Sequence, residues 1–181
     1  MKTAMNITVF GSASPEAGDE RYEEARQLGE FLARAGHVVL TGGYMGSMEA
    51  VSRGAVEAGG HAVGVTCNQI EKWRNTKANA WVKEERRFES MRERLYYLVE
   101  SCDAAMALPG GVGTLAEIAV MWSQMQTQAL PARPLILIGD GWQKVFATLL
   151  MEMDSNIPAG HRALLSFAPD IKGAVSLLPK T

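Results

Sequence analysis

Short apolar runs rich in β-branched residues alternate along the chain with longer segments in which apolar residues recur at helical spacing. This alternation is typical of a parallel sheet wrapped by helices, because helices carry the crossover connections between parallel strands. The predicted strands are residues 7–10, 37–40, 61–65, 105–108 and 135–138, with a weaker strand near 81–85 and a short last strand within 164–178. We therefore predict an α/β fold, a doubly wound parallel sheet in a single domain spanning residues 1–181.

Helices are predicted in the segments between these strands. In the first segment, Tyr22, Ala25, Leu28 and Leu32 form one apolar stripe, and Gly36 is placed to end the helix. The predicted helices are residues 19–35, a segment after Gly46, residues 89–100, 114–126 and 142–153, and a closing helix within 164–178. The polar segment 67–79 has no such pattern and is predicted to be a flexible loop.

Charge and cysteine content limit the partners and the compartment. The chain has 18 Lys and Arg against 20 Asp and Glu, a net charge of −2, so no general field favours nucleic acid or an anionic membrane. Cys67 and Cys102 lie far apart and outside any CxxC pair, which argues against a disulfide framework or a zinc site and fits a reducing compartment. The apolar run at the start is too short for a signal peptide, so a cytoplasmic location is expected.

Glycine- or serine-rich loops follow three of the predicted strands. They are GSAS at 11–14, TGGYMGSM at 41–48 and PGGVGT at 109–114. Doubly wound sheets bind ligands beyond the carboxyl ends of their strands, and a helix that follows a glycine loop offers unpaired amides and a positive dipole end to an anion. Facing loops of this kind would suit the phosphate of a nucleotide, whereas each loop alone is equally a tight connection. Ser12, Ser14 and Thr41 are candidates for ligand hydrogen bonds or for local caps.

Several common site motifs are missing from the sequence. Walker A requires GxxxxGK[ST], and no Gly-Lys pair occurs, which excludes a P-loop NTPase. The dinucleotide fingerprint GxGxxG should follow the first strand, where this chain has GSASPEAG without the second glycine, so an NAD-dependent dehydrogenase is disfavoured. His37, His61 and His161 share no metal-ligand spacing such as HExxH, so we expect no metal site.

Two charged residues are candidates for chemistry, and each also has a structural interpretation. Thr114-x-x-Glu117 matches a capping box, in which Thr114 caps the helix and Glu117 bonds back to the N-cap amide. Helical geometry nevertheless places Glu117 away from the apolar stripe of its helix and beside the loop. Arg94 lies at the edge of an apolar stripe, where an arginine either snorkels to solvent or reaches an anion.

The helix predicted at 114–126 is apolar on more than one face. The predicted core stripe consists of Leu115, Ile118, Ala119, Trp122 and Met125. Val120 and Met121 extend the apolar character beyond that stripe, so the helix is expected to bury a second face. A partner subunit could supply the cover, which predicts a homodimer.

Several motifs together resemble a known family. PGGVGTLAE at 109–117 matches the PGGxGTxxE signature of the LOG ("Lonely guy") family, phosphoribohydrolases that act on cytokinin riboside 5′-monophosphates. In the same order, VFGSAS at 9–14, GGYMGSM at 42–48 and MRER at 91–94 resemble the first strand and turn, the GGGxxGLM loop and the MxxRK helix of that family. The resemblance spans nearly the whole chain and implies a Rossmann-like homodimer without a metal or redox cofactor. Sequences with PGGxGT have also been labelled lysine decarboxylases, but nothing here resembles a pyridoxal-phosphate lysine site.

The resemblance also implies roles for individual residues. The family's catalytic arginine falls on Arg94 and its catalytic glutamate on Glu117, while the glycine loops would hold the 5′-phosphate. The residues assigned in this way to the phosphate or the nucleotide are Gly11, Ser12, Gly42, Gly43, Gly46, Met91, Pro109, Gly110, Gly111, Gly113 and Thr114. Three positions depart from the family pattern: Leu95 stands where lysine is usual, Thr41 replaces the first glycine of the triplet, and Glu49 replaces a glycine.

Three functions follow from these observations. The first is hydrolysis of the N-glycosidic bond of a nucleoside 5′-monophosphate, AMP or an N6-modified AMP, which gives free base and ribose 5-phosphate. The second is a non-catalytic carrier or sensor of a nucleotide or of the molybdenum cofactor, as in related members of the wider superfamily. The third is a purely structural dimerisation module.

Overall fold

The computed structural model describes residues 4–179, and this part of the chain contains one sheet of seven parallel strands. The strands are β1 (Asn6–Phe10), β2 (Val38–Thr41), β3 (Ala62–Cys67), β4 (Glu84–Phe88), β5 (Ala104–Ala107), β6 (Leu135–Ile138) and β7 (Ser166–Ala168). Their order across the sheet is β4-β3-β2-β1-β5-β6-β7. The chain therefore winds outward in both directions from the centre, which confirms the predicted doubly wound fold. The ends of the predicted 1–181 domain, residues 1–3 and 180–181, lie outside the described residues.

Helices cover both faces of the sheet. Along the described chain they are α1 (Glu20–Arg34), α2 (Ser47–Glu57), α3 (Asn68–Arg74), α4 (Met91–Glu100), α5 (Val112–Gln126), α6 (Asp140–Glu152), α7 (Ala159–Arg162) and α8 (Ile171–Ser176), with a 3₁₀ turn at Asp154–Asn156. Buried residues of α1, α2 and α8 form the core on one face, and those of α4, α5 and α6 form the core on the other. Within residues 4–179, none of the helices is long and apolar enough to cross a membrane.

The predicted flexible loop at 67–79 is wrong in its first half. Cys67 ends β3, and residues 68–74 form α3, none of whose residues is buried. Partners distant in sequence hold this helix, because Arg87 of β4 forms an ion pair with Glu71 at 2.5 Å. The strand expected near 81–85 lies three residues further on, as β4, which is the charged edge of the sheet.

The predicted apolar stripe of α5 is also wrong in part. The helix turns Ile118, Met121 and Met125 toward the sheet, whereas Leu115 is 40% exposed and Ala119 is exposed. The buried set follows i, i+3 and i+7 spacing, which is the same period rotated around the helix from the predicted stripe. As a result, α5 presents an apolar surface to solvent.

Candidate functional site

The first two glycine loops and the end of β5 meet at the carboxyl edge of the sheet. β2, β1 and β5 are adjacent, and the winding direction reverses between β1 and β5, which is where doubly wound sheets bind ligands. The amide of Ser47 donates to the carbonyl oxygen of Ser12 at 2.8 Å, so the loop after β2 touches the loop after β1. A Cβ added to Gly11 would lie 2.8 Å from Cβ of Ser47 and 3.5 Å from Cβ of Leu108. The structure thus brings together three segments that lie far apart in sequence.

The loop after β2 packs against protein atoms. A Cβ on Gly42 would lie 1.9 Å from Nη2 of Arg94, so only glycine leaves room for that guanidinium. Gly43 and Gly46 have φ of +77° and +73° and abut Thr66 and Ser12, respectively. These glycines are explained by close packing within the protein, which is the structural alternative that the sequence left open.

The loop after β5 is different because it is open. Pro109, Gly110, Gly111 and Gly113 are exposed, and a Cβ on Gly111 or Gly113 would meet nothing within 4 Å. α5 begins at Val112 without a side-chain cap. The first-turn amides of a long helix are therefore left without a side-chain acceptor, which is the arrangement that receives phosphate groups.

Arg94 is buried and does not snorkel. Its residue exposure is 7%, and its Nε and Nη2 donate to the carbonyl oxygens of Val65 at 2.7 Å and Gly42 at 3.0 Å. Its Nη1 lies 4.0 Å from Oε1 of Glu117. The first turn of α4 supports this placement, because Ser90 and Glu93 form a capping box there.

Glu117 faces Arg94, and the capping box predicted for Thr114 and Glu117 is wrong. The N-cap of α5 is Gly111, so Thr114 lies inside the helix, buried, and a Cβ on Gly110 would lie 2.2 Å from its Oγ1. The Glu117 side chain is 13% exposed. Burial raises the pKa of its carboxyl to about 7, while the charge of Arg94 opposes that rise. At neutral pH the carboxyl therefore populates both the acid and the carboxylate, as general acids and bases do.

Three other candidate residues, Met91, Ser12 and Thr41, make contacts of their own within the protein. Met91 is exposed at the start of α4, one turn before Arg94, and its amide donates to Oε1 of Gln69 at 3.0 Å. Ser12 and Thr41 form local caps, because their hydroxyl oxygens accept from the amides of Ser14 at 3.1 Å and Gly43 at 3.2 Å.

One aromatic residue of the site was not predicted from the sequence. Tyr44, in the loop after β2, is almost fully buried, and the guanidinium carbon of Arg94 lies 5.5 Å from its ring centroid. An aromatic residue inside an otherwise glycine-rich loop was the available signal. Met48, near the start of α2, also approaches Arg94, with its sulfur 3.9 Å from Nη2.

Comparison with known proteins places the chain in a family. The sequence profile of the SLOG cluster4 family matches residues 4–146. The chain belongs to this family. A probable cytokinin riboside 5′-monophosphate phosphoribohydrolase of Oryza sativa subsp. japonica is 34% identical over 178 residues, which cover 95% of this chain and 76% of that protein. The cytokinin riboside 5′-monophosphate phosphoribohydrolase of Rhodococcoides fascians is 28% identical over 97% of this chain and 90% of its own length.

Solved structures similar to this SLOG cluster4 protein include proteins with another described role. The molybdenum cofactor binding protein of Rippkaea orientalis superposes with a TM-score of 0.73 and 26% identity, over 98% of this chain and 96% of that chain. The molybdenum cofactor carrier protein of Chlamydomonas reinhardtii gives a TM-score of 0.71 at 24% identity, over 96% of this chain and 95% of that chain, and shows the shared fold. The relatives found by sequence are named as enzymes, whereas one of the similar structures is described as a molybdenum cofactor binding protein.

The departures from the LOG pattern lie beside the candidate site rather than within the ion pair of Arg94 and Glu117. Oγ1 of Thr41 lies 3.1 Å from Oγ of Ser52, and the pair is buried beneath the loop after β2. Glu49 accepts a hydrogen bond from the hydroxyl of Tyr22 on α1 at 3.2 Å. Leu95 is half-buried next to Arg94. Arg94 and Glu117 therefore keep their contact without a neighbouring lysine at position 95.

Two cavities of this SLOG cluster4 chain lie away from the ion pair. One of about 420 Å³ is lined by Ser14, Pro15, Asp19, Glu20 and Arg21, on the flank of the first loop. Another of about 260 Å³ opens near the amino ends of β2, β3 and β4. Neither is lined by Arg94 or Glu117. Among the described residues, no group of three or more His, Cys, Asp or Glu is placed to hold a metal ion.

Proposed function

We propose that this protein is a nucleoside 5′-monophosphate phosphoribohydrolase of the LOG type. Its substrate would be AMP or an N6-modified AMP such as a cytokinin riboside monophosphate, and its products free base and ribose 5-phosphate. The observation that carries the proposal is the largely buried carboxyl of Glu117, 4.0 Å from the Arg94 guanidinium, in the second turn of a helix that begins without a side-chain cap. The names of relatives at 34% and 28% identity support the same reaction.

The open loop would bind the 5′-phosphate. The exposed segment 109–113 leads directly into the first turn of α5, where backbone amides and the helix dipole favour a dianion. Binding energy from the phosphate would then fix the sugar relative to groups deeper in the site. Glu117 lies one turn further along the same helix, so a ribose anchored at the first turn extends toward its carboxyl.

The reaction requires a group that stabilises positive charge at the anomeric carbon, C1′. As the N-glycosidic bond breaks, C1′ becomes oxocarbenium-like, the electron pair leaves with the base, and water adds to C1′. The carboxylate of Glu117 would stabilise that charge or accept a proton from the attacking water; overall, water supplies the hydroxyl that bonds to C1′ and the proton that the departing base takes up. Arg94 would keep a fraction of Glu117 ionised and hold it in position.

The proposed enzyme would act as a homodimer in the cytoplasm, where nucleoside monophosphates are available. Support for the dimer comes from α5, whose outer surface carries Val112, 84% exposed, together with Leu115 and Ala119. An apolar face on a helix beside the site is the kind of surface that a second copy of the chain covers.

A second candidate is a carrier that binds a phosphorylated ligand without cleaving it. The specific support is the similarity to the molybdenum cofactor binding protein of Rippkaea orientalis. A carrier would use the same open loop for the phosphate and would not depend on the ionisation of Glu117.

The deciding experiment incubates the purified protein with AMP and with N6-isopentenyl-AMP and measures free base by chromatography. We expect release by the wild type, a loss of about 10²-fold or more in Glu117→Gln, and an undiminished rise of the melting temperature with AMP in that variant. Glu100→Gln, an exposed carboxylate at the end of α4, is the matched control and should retain activity. Wild-type levels of release by Glu117→Gln would contradict the mechanism, and tight binding without release by the wild type would favour the carrier.

A further inference from the structure

Tyr44 is held rigidly beneath the candidate site. Its side chain is 1% exposed, its hydroxyl accepts from the amide of Cys67 at 2.8 Å, and the same hydroxyl donates to the Cys67 carbonyl oxygen at 3.1 Å. The backbone of the loop is fixed as well, because the side chain of Asn79 donates to the Tyr44 carbonyl oxygen at 2.8 Å. The orientation of the ring is therefore set by contacts at both ends of the residue.

The guanidinium carbon of Arg94 lies over the ring of Tyr44, 5.5 Å from the ring centroid. The carbonyl oxygens of Val65 and Gly42 hold two of its nitrogens, and the third nitrogen points toward Glu117. Two hydrogen bonds along one edge leave a planar group free to tilt about that edge. A packed aromatic ring opposes this tilt and adds a cation–π attraction, which is stronger at a desolvated site.

The alternative is that Tyr44 only fills space between its loop and β3. Its hydroxyl bonds to Cys67 fit that role, but they do not require the ring to lie against a cation. Within residues 4–179, Arg94 is the charged group whose field acts on Glu117, and Arg94 is the group that the ring contacts. The other titratable groups that interact with Tyr44 are Cys67, Glu71 and Arg87.

We propose that Tyr44 is a positioning residue of this site, whose ring holds the Arg94 guanidinium against Glu117 and thereby sets how much of Glu117 is ionised. The inference rests on the proposed function and deepens it, because it gives the loop after β2 a part in setting the ionisation of Glu117. Tyr44 itself need not touch the substrate.

Loss of the ring has a defined electrostatic consequence. Burial raises the pKa of Glu117 to about 7, and the charge of Arg94 lowers it. When Arg94 is free to tilt away, this opposition weakens and the pKa of Glu117 rises further. If the carboxylate is the active form, the rising limb of the pH profile of kcat/KM moves to higher pH.

The test compares Tyr44→Phe, which keeps the ring, with Tyr44→Met and Tyr44→Leu, which remove it. Two measurements are made on each protein: the pH profile of AMP hydrolysis, and the titration of the Glu117 carboxyl by carbon-13 NMR with the signal assigned through Glu117→Gln. In both ringless variants we expect the rising limb of the pH profile and the midpoint of the Glu117 titration to move to higher pH by about half a pH unit or more, a threefold change in ionisation constant. In Tyr44→Phe we expect both to stay at their wild-type pH. All three variants lose the hydroxyl bonds to Cys67 and melt earlier, so lost stability does not explain a shift confined to the ringless ones.

The outcomes separate the inference from the proposed function. A midpoint for Glu117 that is unchanged in a folded ringless variant overturns the positioning role, even if the wild type hydrolyses AMP. A wild type that releases no base overturns the proposed reaction, yet a shifted NMR midpoint would still support the positioning role. A shift of equal size in Tyr44→Phe would assign the effect to the hydroxyl and contradict a role for the ring.

Discussion

At the scale of single residues, burial decides which charged side chains can do chemistry. Glu117 has the same sequence signature as a capping residue, but the N-cap of its helix is Gly111, three residues before the Thr114 that the pattern predicts. The carboxyl is consequently placed against Arg94 in a site where its ionised form is disfavoured. A strongly shifted carboxyl beside a fixed cation marks a candidate active site more specifically than the glycine content of the loops.

Glu117→Gln is expected to change how stability depends on pH. The folded-state pKa of about 7 lies above the ordinary value of 4.5, so the folded protein binds the proton more tightly, and its free energy of unfolding falls as pH rises between those values. Gln mimics the protonated carboxyl and does not ionise. The variant therefore lacks this decrease in the free energy of unfolding, which amounts to up to about 3 kcal/mol in the wild type. Urea unfolding of both proteins at pH 4.5 and pH 8 measures the difference. If the difference in free energy of unfolding between Glu117→Gln and the wild type is the same at both pH values, the burial of an ionisable Glu117 is contradicted.

Arg94→Lys is expected to lose activity although it keeps the charge. A lysine ammonium cannot reproduce the fixed geometry with which the guanidinium bonds Val65 and Gly42 while pointing a third nitrogen at Glu117. We expect kcat/KM for AMP to fall about 10²-fold, measured by base release. Arg92→Lys, at an exposed position of the same helix, is the control. Equal activity of the two lysine variants would show that charge alone suffices.

At the scale of helices and strands, the sequence predicted those elements that have a continuous apolar run or an apolar stripe at regular spacing. β6 was predicted at the observed residues 135–138, and α1 within one residue at each end. α3 could not be predicted in this way, because it has no buried face and its ion pair is made by β4. The start of α5 was missed because Gly113 is a poor helix former that the structure nonetheless includes in the helix.

Gly54→Ala tests the packing of α1 on α2, a contact that helix propensity alone would misjudge. Alanine normally stabilises a helix relative to glycine, but a Cβ at position 54 would lie 1.8 Å from the carbonyl oxygen of Arg26. We expect a loss of about 1–3 kcal/mol in the free energy of unfolding, measured by urea unfolding. Gly141→Ala on α6, where a Cβ meets nothing within 4 Å, should not destabilise. A Gly54→Ala variant as stable as the wild type would contradict the close approach of α1 and α2.

At the scale of the whole molecule, sheet order determines where the site lies. The sequence predicted that ligand loops follow strands, and the observed β2-β1-β5 order brings the ends of three strands together. It could not predict that Arg94 and Glu117 meet, since the two residues lie on different helices and their distance depends on how β4, β5 and their helices are placed in the sheet. Tyr44 was missed for the same reason, because its partners Cys67 and Arg94 come from other elements.

Ala119→Arg is expected to break the proposed dimer. The substitution places a charge in the exposed apolar face of α5, where a second copy would have to bury it without a partner. Sedimentation velocity should show a dimer for the wild type and a monomer for this variant. Ala163→Arg, at an exposed position after α7, should leave the dimer intact. A monomeric wild type, or a dimeric Ala119→Arg variant, would contradict this use of the α5 face.

The most direct test is a crystal structure of the Glu117→Gln variant with AMP. We predict that the phosphate lies against the backbone amides at the start of α5 and that C1′ of the ribose faces the side chain at position 117, next to the Arg94 guanidinium. A phosphate bound elsewhere, such as in the cavity beside Ser14 and Arg21, with residue 117 remote from the sugar, would contradict the account.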